Sequence, residues 1–376
     1  MSEHSSVPGE AAAVLERLRR LVELESPSGD AARLTALADE IARALTSAGA
    51  AVTAIDVPSQ GRHLRATLDG DAALPPLLVL GHMDTVFAAG TLAERPFAVA
   101  GGRATGPGVY DMKAGIAVLL QALADMHARG AQPRRPLRIL LTCDEEVGSH
   151  SSRPLIQELA TGAAATLVLE PALPGGAAKT ARKGVAVYTL RTYGRATHAG
   201  LEPQTGINAI TELAHQVLAA QALARPELGT TVTAGLIAGG TASNVVPAEA
   251  WAELDVRFST AVEAARVDAG LHALTPVVAD ARLALEGGVN RPPLERTAAS
   301  AALYARARDL AAALGFDLEE GTAGGASDGN LTGALGVPTL DGLGPDGGGA
   351  HGPDEHVLVA DLPRRISLIV ALLQQF

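Results

Sequence analysis

Leu77-Leu78-Val79-Leu80-Gly81-His82-Met83-Asp84-Thr85-Val86 runs from four aliphatic residues into an imidazole and then a carboxylate. Two later runs end in the same way. Ile139 to Thr142 leads to Glu145 and Glu146, and Leu167 to Leu169 leads to Glu170. A continuous apolar run of this length reads as a strand buried on both faces, as in a parallel sheet. Open α/β sheets collect ligands in the crevice beyond the carboxyl ends of such strands. The three runs therefore aim one histidine and three glutamates at a common rim, and the fold class is α/β.

Working outward, the 376 residues are too many for one ordinary core, so two domains are expected. Val14, Leu15, Leu18, Leu21 and Val22 have helical spacing, and that helix should stop near Pro27. Leu34, Leu37, Ile41 and Leu45 mark a second helix, with Gly49 as its C-terminal stop. A strand at 51–57, a long helix at about 113–128 and a helix at 154–160 then alternate with the three apolar runs, a doubly wound pattern. After Gly184 the pattern changes to half-exposed strands at 185–193, 231–237, 250–258 and 281–285, with helices near 207–224 and 261–274. That β-α-β-β-α-β order is the ferredoxin-like unit, inserted into the first domain. The expected division is 1–183 with 294–376 for the first domain and 184–293 for the insert. The Gly-rich stretch 321–352 is too long for a casual connection and is expected to be functional or disordered, and an amphipathic helix at 362–376 closes the chain.

Hydrophobic residues make up 47% and aromatics 3%, so the core is built from Ala, Val, Leu and Ile. A formal net charge of −11 opposes attraction to phosphate backbones and anionic membranes, so neither nucleic acid nor membrane is expected as a partner. Met1 to Glu10 is polar and acidic, without the order of a signal peptide, and the expected location is cytoplasmic. The one cysteine, Cys143, excludes an internal disulfide and a thiolate zinc site, and reads as a buried structural thiol.

The chemistry lies in the carboxylates. In GHMDTV, His82 can bind a metal while Asp84 fixes the ring's other nitrogen. In GPGVYDMKAG, Asp111 sits in a glycine-rich turn before a helix, where helix capping is the bland reading. Glu145 and Glu146, adjacent after a buried strand, repel each other unless a cation is present. One can coordinate while its neighbour carries protons, the division of labour in metal-assisted hydrolysis. Glu170 supplies a further ligand, and His351, in GAHGPDEH, is otherwise an exposed loop histidine. Asp111, Glu146, Glu170 and a hydroxide carry charge enough for two divalent cations. Nitrogen and oxygen ligands without thiolate suit Zn²⁺, with Co²⁺ or Mn²⁺ as alternatives.

These motifs, with DEEVGS at 144–149, LEP at 169–171, THAG at 197–200 and GGTASNVVP at 239–247, resemble the M20 metallopeptidase family over nearly the whole chain, closest to its glutamate carboxypeptidase branch. The resemblance implies a catalytic domain with a central mixed sheet flanked by helices, and an inserted ferredoxin-like lid through which members form homodimers. It implies two zinc ions, with Asp111 bridging, His82 and Glu170 on one ion, and Glu146 and His351 on the other. Glu145 would be the general base, Asp84 the carboxylate behind His82, and the Asp111–Met112 peptide cis. His198 would reach the partner subunit's site and polarise the scissile carbonyl, while Asn244 and Arg257 hold the substrate carboxylate, where a buried arginine pairs in bidentate fashion.

The expected reaction is hydrolysis of an amide bond to an amino acid with a free carboxylate. Related deacylases of the acetylornithine deacetylase and succinyl-diaminopimelate desuccinylase type share the ligands, so N-acyl amino acids stay open as substrates. The branch's glutamate-recognising lysine falls near Lys179, with Arg182 and Lys183 competing for the role. Gly325-Ala326-Ser327-Asp328-Gly329 also fits the serine-hydrolase pattern G-x-S-x-G, with Asp341 and His351 in permissible order. The acidic, glycine-rich residues before it are not a buried strand, which counts against a nucleophile at Ser327. A noncatalytic member is disfavoured because every ligand position is filled.

Overall fold

The computed structural model describes residues 9–376, so the N-terminal stretch read above lies, through residue 8, outside the described residues. The chain divides into two compact units, one formed by 1–181, 296–323 and 327–376, the other by 182–295 and 324–326.

The first unit is built on a six-stranded mixed sheet. Its order is Ala51–Val57, Gly61–Leu68, Leu137–Thr142, Leu77–His82, Ala165–Val168, Thr339–Leu340. The last four run parallel, and the first two form an antiparallel hairpin on one edge. The apolar runs work as two-sided strands because side chains alternate between faces. Leu77, Val79, Ile139, Leu141 and Leu167 enter one core cluster. Leu78, Leu80, Leu140 and Val168 enter another on the opposite face. The helices Gly9–Glu23, Ala31–Ser47, Ala114–Ala128 and Leu362–Gln375 contribute to the first cluster, and Arg153–Ala160 to the second.

Two details place the rim. Helix Ala114–Ala128 begins against the end of the Ala165–Val168 strand, where a Cβ on Gly115 would lie 2.1 Å from the Leu169 carbonyl oxygen. Only glycine permits that approach. Gly108, at φ +70°, turns the chain into the Asp111 loop, and there a side chain would be both strained and set against Thr85. The Gly-rich stretch is broken into short pieces, among them Glu320–Ala323, Gly329–Ala334 and Gly347–Gly348.

The second unit is a four-stranded antiparallel sheet in the order Thr231–Gly239, Glu249–Phe258, Gly184–Tyr193, Arg282–Arg291, with helices Ala209–Gln221 and Ala261–His272. This is the ferredoxin-like order. Alternation along Glu249–Phe258 buries Ala250, Ala252, Leu254, Val256 and Phe258. The strand at 281–285 runs on to Arg291, because Gly287 and Gly288 continue the ladder. A Cβ on Gly287 would lie 2.2 Å from the Val187 carbonyl oxygen. Among the described residues, no helix is long and apolar enough to cross a membrane.

Candidate metal centre

His82 is the last residue of its strand and is buried, with its backbone N–H directed at the Met112 sulfur. Its Nε2 lies 3.2 Å from Asp111 Oδ1 and 3.5 Å from Glu170 Oε1. His351 Nε2 lies 3.4 Å from Asp111 Oδ2 and 3.3 Å from Glu146 Oε1. The five residue types expected as metal ligands thus meet in one cluster inside the first unit, with Asp111 touching both imidazoles through different oxygens. Ligand atoms of His82, Asp111 and Glu146 lie within 4.8 Å of one another. The Asp111–Met112 peptide is cis.

Asp84 works differently from the simple expectation. The nearer partner of His82 Nδ1 is the Asp84 backbone carbonyl at 2.9 Å, with a carboxylate oxygen at 3.5 Å. The fully buried carboxylate instead accepts the backbone amides of Glu145 at 3.2 Å and Glu146 at 3.1 Å, and the Ser28 hydroxyl at 2.8 Å. One aspartate therefore sets both the histidine and the turn carrying the adjacent glutamates. Glu145 sits half-buried at that turn, beside Glu146.

The electrostatics fit a cationic occupant. Burial alone would lower the His82 pKa, yet Asp111, Asp84 and Glu170 hold it well above the usual histidine value. Asp111 and Glu146 push His351 up to about 10. Burial would raise Asp111, but the two imidazoles hold it well below the carboxylate range. Burial raises Glu146, and the Asp111 charge adds to this. Such crowding needs positive charge, from protons or from metal. Glu146 Oε1 is buried, has no well-aligned hydrogen bond among the described residues, and has His351 Nε2 beside it at 3.3 Å. The oxygen and imidazole donors suit a divalent ion such as zinc, cobalt or manganese.

The three remaining expected residues lie in the second unit. His198 and Asn244 are exposed and share one local structure: His198 bridges Val245, and the Ala199 N–H donates to the Asn244 carbonyl at 2.8 Å. Arg257 departs from the expectation of a buried guanidinium. Its side chain is 33% exposed and forks onto Asp255 through Nε and Nη2, both at 2.7 Å, so its bidentate partner lies on its own strand. Lys179 is buried in a bridge to Asp341, and Arg182 directs Nη1 at the carbonyls of Gly325 and Ala326. Ser327 is fully buried and its hydroxyl donates to Asp341 at 2.6 Å, whereas a nucleophilic serine donates to an imidazole. His351 sits on the carboxylate cluster instead.

Sequence reasoning missed Glu355, which lies four residues after His351. It is buried, and burial pushes its carboxyl up to about 7 despite three backbone amides that donate to it. A carboxylate directly between the glycine-rich stretch and an apolar run was the available signal. Asp328 was also missed; it accepts from the Ser149 and Thr142 hydroxyls behind the Glu145 turn.

The sequence profile of the Peptidase family M20/M25/M40 matches residues 78–375. Carboxypeptidase G2 of Pseudomonas sp. (strain RS-16) is 30% identical over 379 residues, covering 97% of this chain and 89% of that protein. Succinyl-diaminopimelate desuccinylase of Delftia acidovorans (strain DSM 14801 / SPH-1) is 30% identical over 372 residues, covering 93% and 94%. Among solved structures, aminopeptidase PepT from Bacillus cereus ATCC 10987 superposes with a TM-score of 0.80 at 22% identity, covering 96% of this chain and 98% of that one. With a cluster of metal-ligand side chains at the rim that the apolar strands define, the chain belongs to the M20 peptidase family and is a metal-dependent hydrolase.

Proposed function

We propose that this protein is a two-metal, zinc-preferring carboxypeptidase-type hydrolase that cleaves the amide bond to an amino acid bearing a free carboxylate. The observation that carries the reading is Asp111, whose two oxygens face His82 and His351 separately, as a carboxylate shared between two ions would. His82 and Glu170 would hold one ion, and Glu146 and His351 the other. Two bound cations would acidify a water molecule and polarise the scissile carbonyl. Glu145 takes the proton from the attacking water and returns it to the amine nitrogen as the C–N bond breaks. Asp84 keeps the Glu145 turn and His82 in register. His198 donates to the carbonyl oxygen, where negative charge develops. Asn244 and Arg257 hold the substrate carboxylate; Arg257 commits Nε and Nη2 to Asp255, which leaves Nη1 for the substrate.

The inserted unit acts in this reading as lid and dimerisation domain, with His198 serving the partner's site. An uncovered edge supports this. The Thr231–Gly239 strand ends its sheet with Leu236 54% and Ile237 64% exposed, a surface suited to pairing with a second copy. The 30% identity to a desuccinylase supports a second reading, an N-acyl amino acid deacylase with the same ligands. Action on a small amide, without nucleic-acid or membrane partners, agrees with the net charge of −11, and we assign the enzyme to the cytoplasm.

The test is a hydrolysis screen of peptides ending in glutamate against N-acyl amino acids, with zinc added and with chelator. Zinc-dependent release of the carboxyl-terminal amino acid supports the carboxypeptidase, and preference for short acyl groups supports the deacylase. Hydrolysis that survives chelation overturns both.

A further inference from the structure

Glu355 belongs to neither metal nor substrate in the reading above, yet it is 1% exposed and joins two of the segments that carry the cluster. Its Oε2 accepts the Gly108 amide at 2.7 Å, and its Oε1 accepts the amides of Tyr110 and Asp111, each at 2.9 Å. Those three donors belong to the turn that ends at Asp111. Glu355 itself stands at the end of the turn that contains His351.

That second turn needs holding. His351 has φ +64°, a left-handed backbone uncommon in a non-glycine residue, and its side chain is 51% exposed. On the protein side the imidazole is held by Asp111 and Glu146, and its backbone must be set by the turn itself. The turn is closed by the Gly352 N–H on the Gly349 carbonyl at 2.8 Å, and Arg95 Nη1 holds the Gly352 carbonyl at 2.9 Å. After Glu355 the chain enters the His356–Leu358 strand, which pairs with Gly347–Gly348 and Arg103–Thr105.

We propose that Glu355 is a positioning residue that clamps the Asp111 turn to the His351 turn and so sets the spacing of the two ion sites. The inference rests on the two-metal reading. A carboxylate suits the task because both its oxygens only accept, and three N–H groups converge on it. A glutamine would fit the space but would turn an NH₂ toward at least one amide, donor against donor. Groups that orient metal ligands from outside the coordination shell typically change metal affinity by roughly 10- to 100-fold when replaced.

The experiment compares the wild-type chain with Glu355→Gln and Glu355→Asp. Each metal-stripped protein is titrated with Co²⁺ by calorimetry, the visible cobalt spectrum is recorded at saturation, and kcat and KM are measured on one substrate. The expected result for Glu355→Gln is a folded protein by circular dichroism, with roughly 10- to 100-fold weaker binding of at least one ion, shifted cobalt bands, and kcat reduced at unchanged KM. Glu355→Asp, which keeps the charge but withdraws it by one methylene, should shift the same readouts in the same direction, and it decides the matter if the glutamine variant does not fold. Wild-type cobalt affinity and spectrum in the folded variants overturn the positioning role and leave the two-metal reading intact. If the wild-type chain takes up no second ion, the two-metal reading fails and takes this inference with it.

Discussion

The two units treat the polar residues expected at the site in opposite ways. In the first, His82, Asp84, Glu170 and Glu355 are buried, and donors from distant segments converge on the Asp84 and Glu355 carboxylates. In the second, His198 and Asn244 lie exposed, and Arg257 binds an aspartate two residues away on its own strand. Buried charges must be paired and fixed, and that fixing is what a metal site requires. Exposed donors keep their freedom and become ordered only against something they meet. In the proposed reading the first unit carries the chemistry, and the second would supply recognition of a substrate or a second copy.

The sharpest way to break this contrast is Glu145→Gln, which should lower turnover by roughly 10²- to 10⁴-fold while metal content measured by atomic absorption stays at the wild-type level. Full activity would remove the base from the first unit. His198→Ala should cost roughly 10²- to 10³-fold in kcat, again without loss of metal. If His198 serves the partner's site, mixing and reannealing the Glu145→Gln and His198→Ala proteins should restore about a quarter of wild-type activity, because half the dimers are mixed and each has one intact site. No recovery would confine His198 to its own chain.

A third test concerns a buried acid that the second unit does fix. Glu212 is fully buried and accepts from the Val278 amide at 2.6 Å, the Val277 amide at 3.0 Å and the Gln216 side chain at 2.6 Å. Burial would raise its pKa, and these donors outweigh burial and lower it. Its stabilising contribution is therefore complete above the ordinary glutamate value and is lost as pH falls through the lowered folded value. Glu212→Gln should destabilise the protein by about 1–3 kcal/mol at pH 7. The gap from wild type should close as denaturation is followed into that acid range, and a gap independent of pH would contradict the assignment. The smallest effect is expected at Cys143, 1% exposed, with its thiol pushed up to about 12 by burial and by Asp144 and Asp84. A disulfide reagent at pH 8 should leave it unmodified in the native protein and react once in denaturant.

Much of this architecture was legible in the residues. The runs at Leu77, Ile139 and Leu167 are strands because their side chains are apolar on both faces, which no loop tolerates. The Gly61–Leu68 strand was not foreseen, since Arg62, His63 and Arg65 interrupt its pattern; it forms as the hairpin partner of Ala51–Val57. His82, Glu146 and Glu170 were recognisable as metal-ligand types after apolar strands, whereas Asp111 and His351 read singly as a helix cap and a loop histidine and joined them only through the charge count and the family resemblance. Glu355 was not recognisable, because its function depends on amides more than 240 residues earlier in the chain.

The sequence by itself determined the three apolar strands, the residue types that follow them and the change to alternating strands after Gly184, because periodicity and residue chemistry are local properties. Only the tertiary structure decided that Asp111 faces both imidazoles, that Asp84 grips the glutamate turn, and that Glu355 ties two loops together. Hydrogen-bond geometry between distant segments is set by the packing of helices on the sheet to within fractions of an ångström, and no local pattern encodes it.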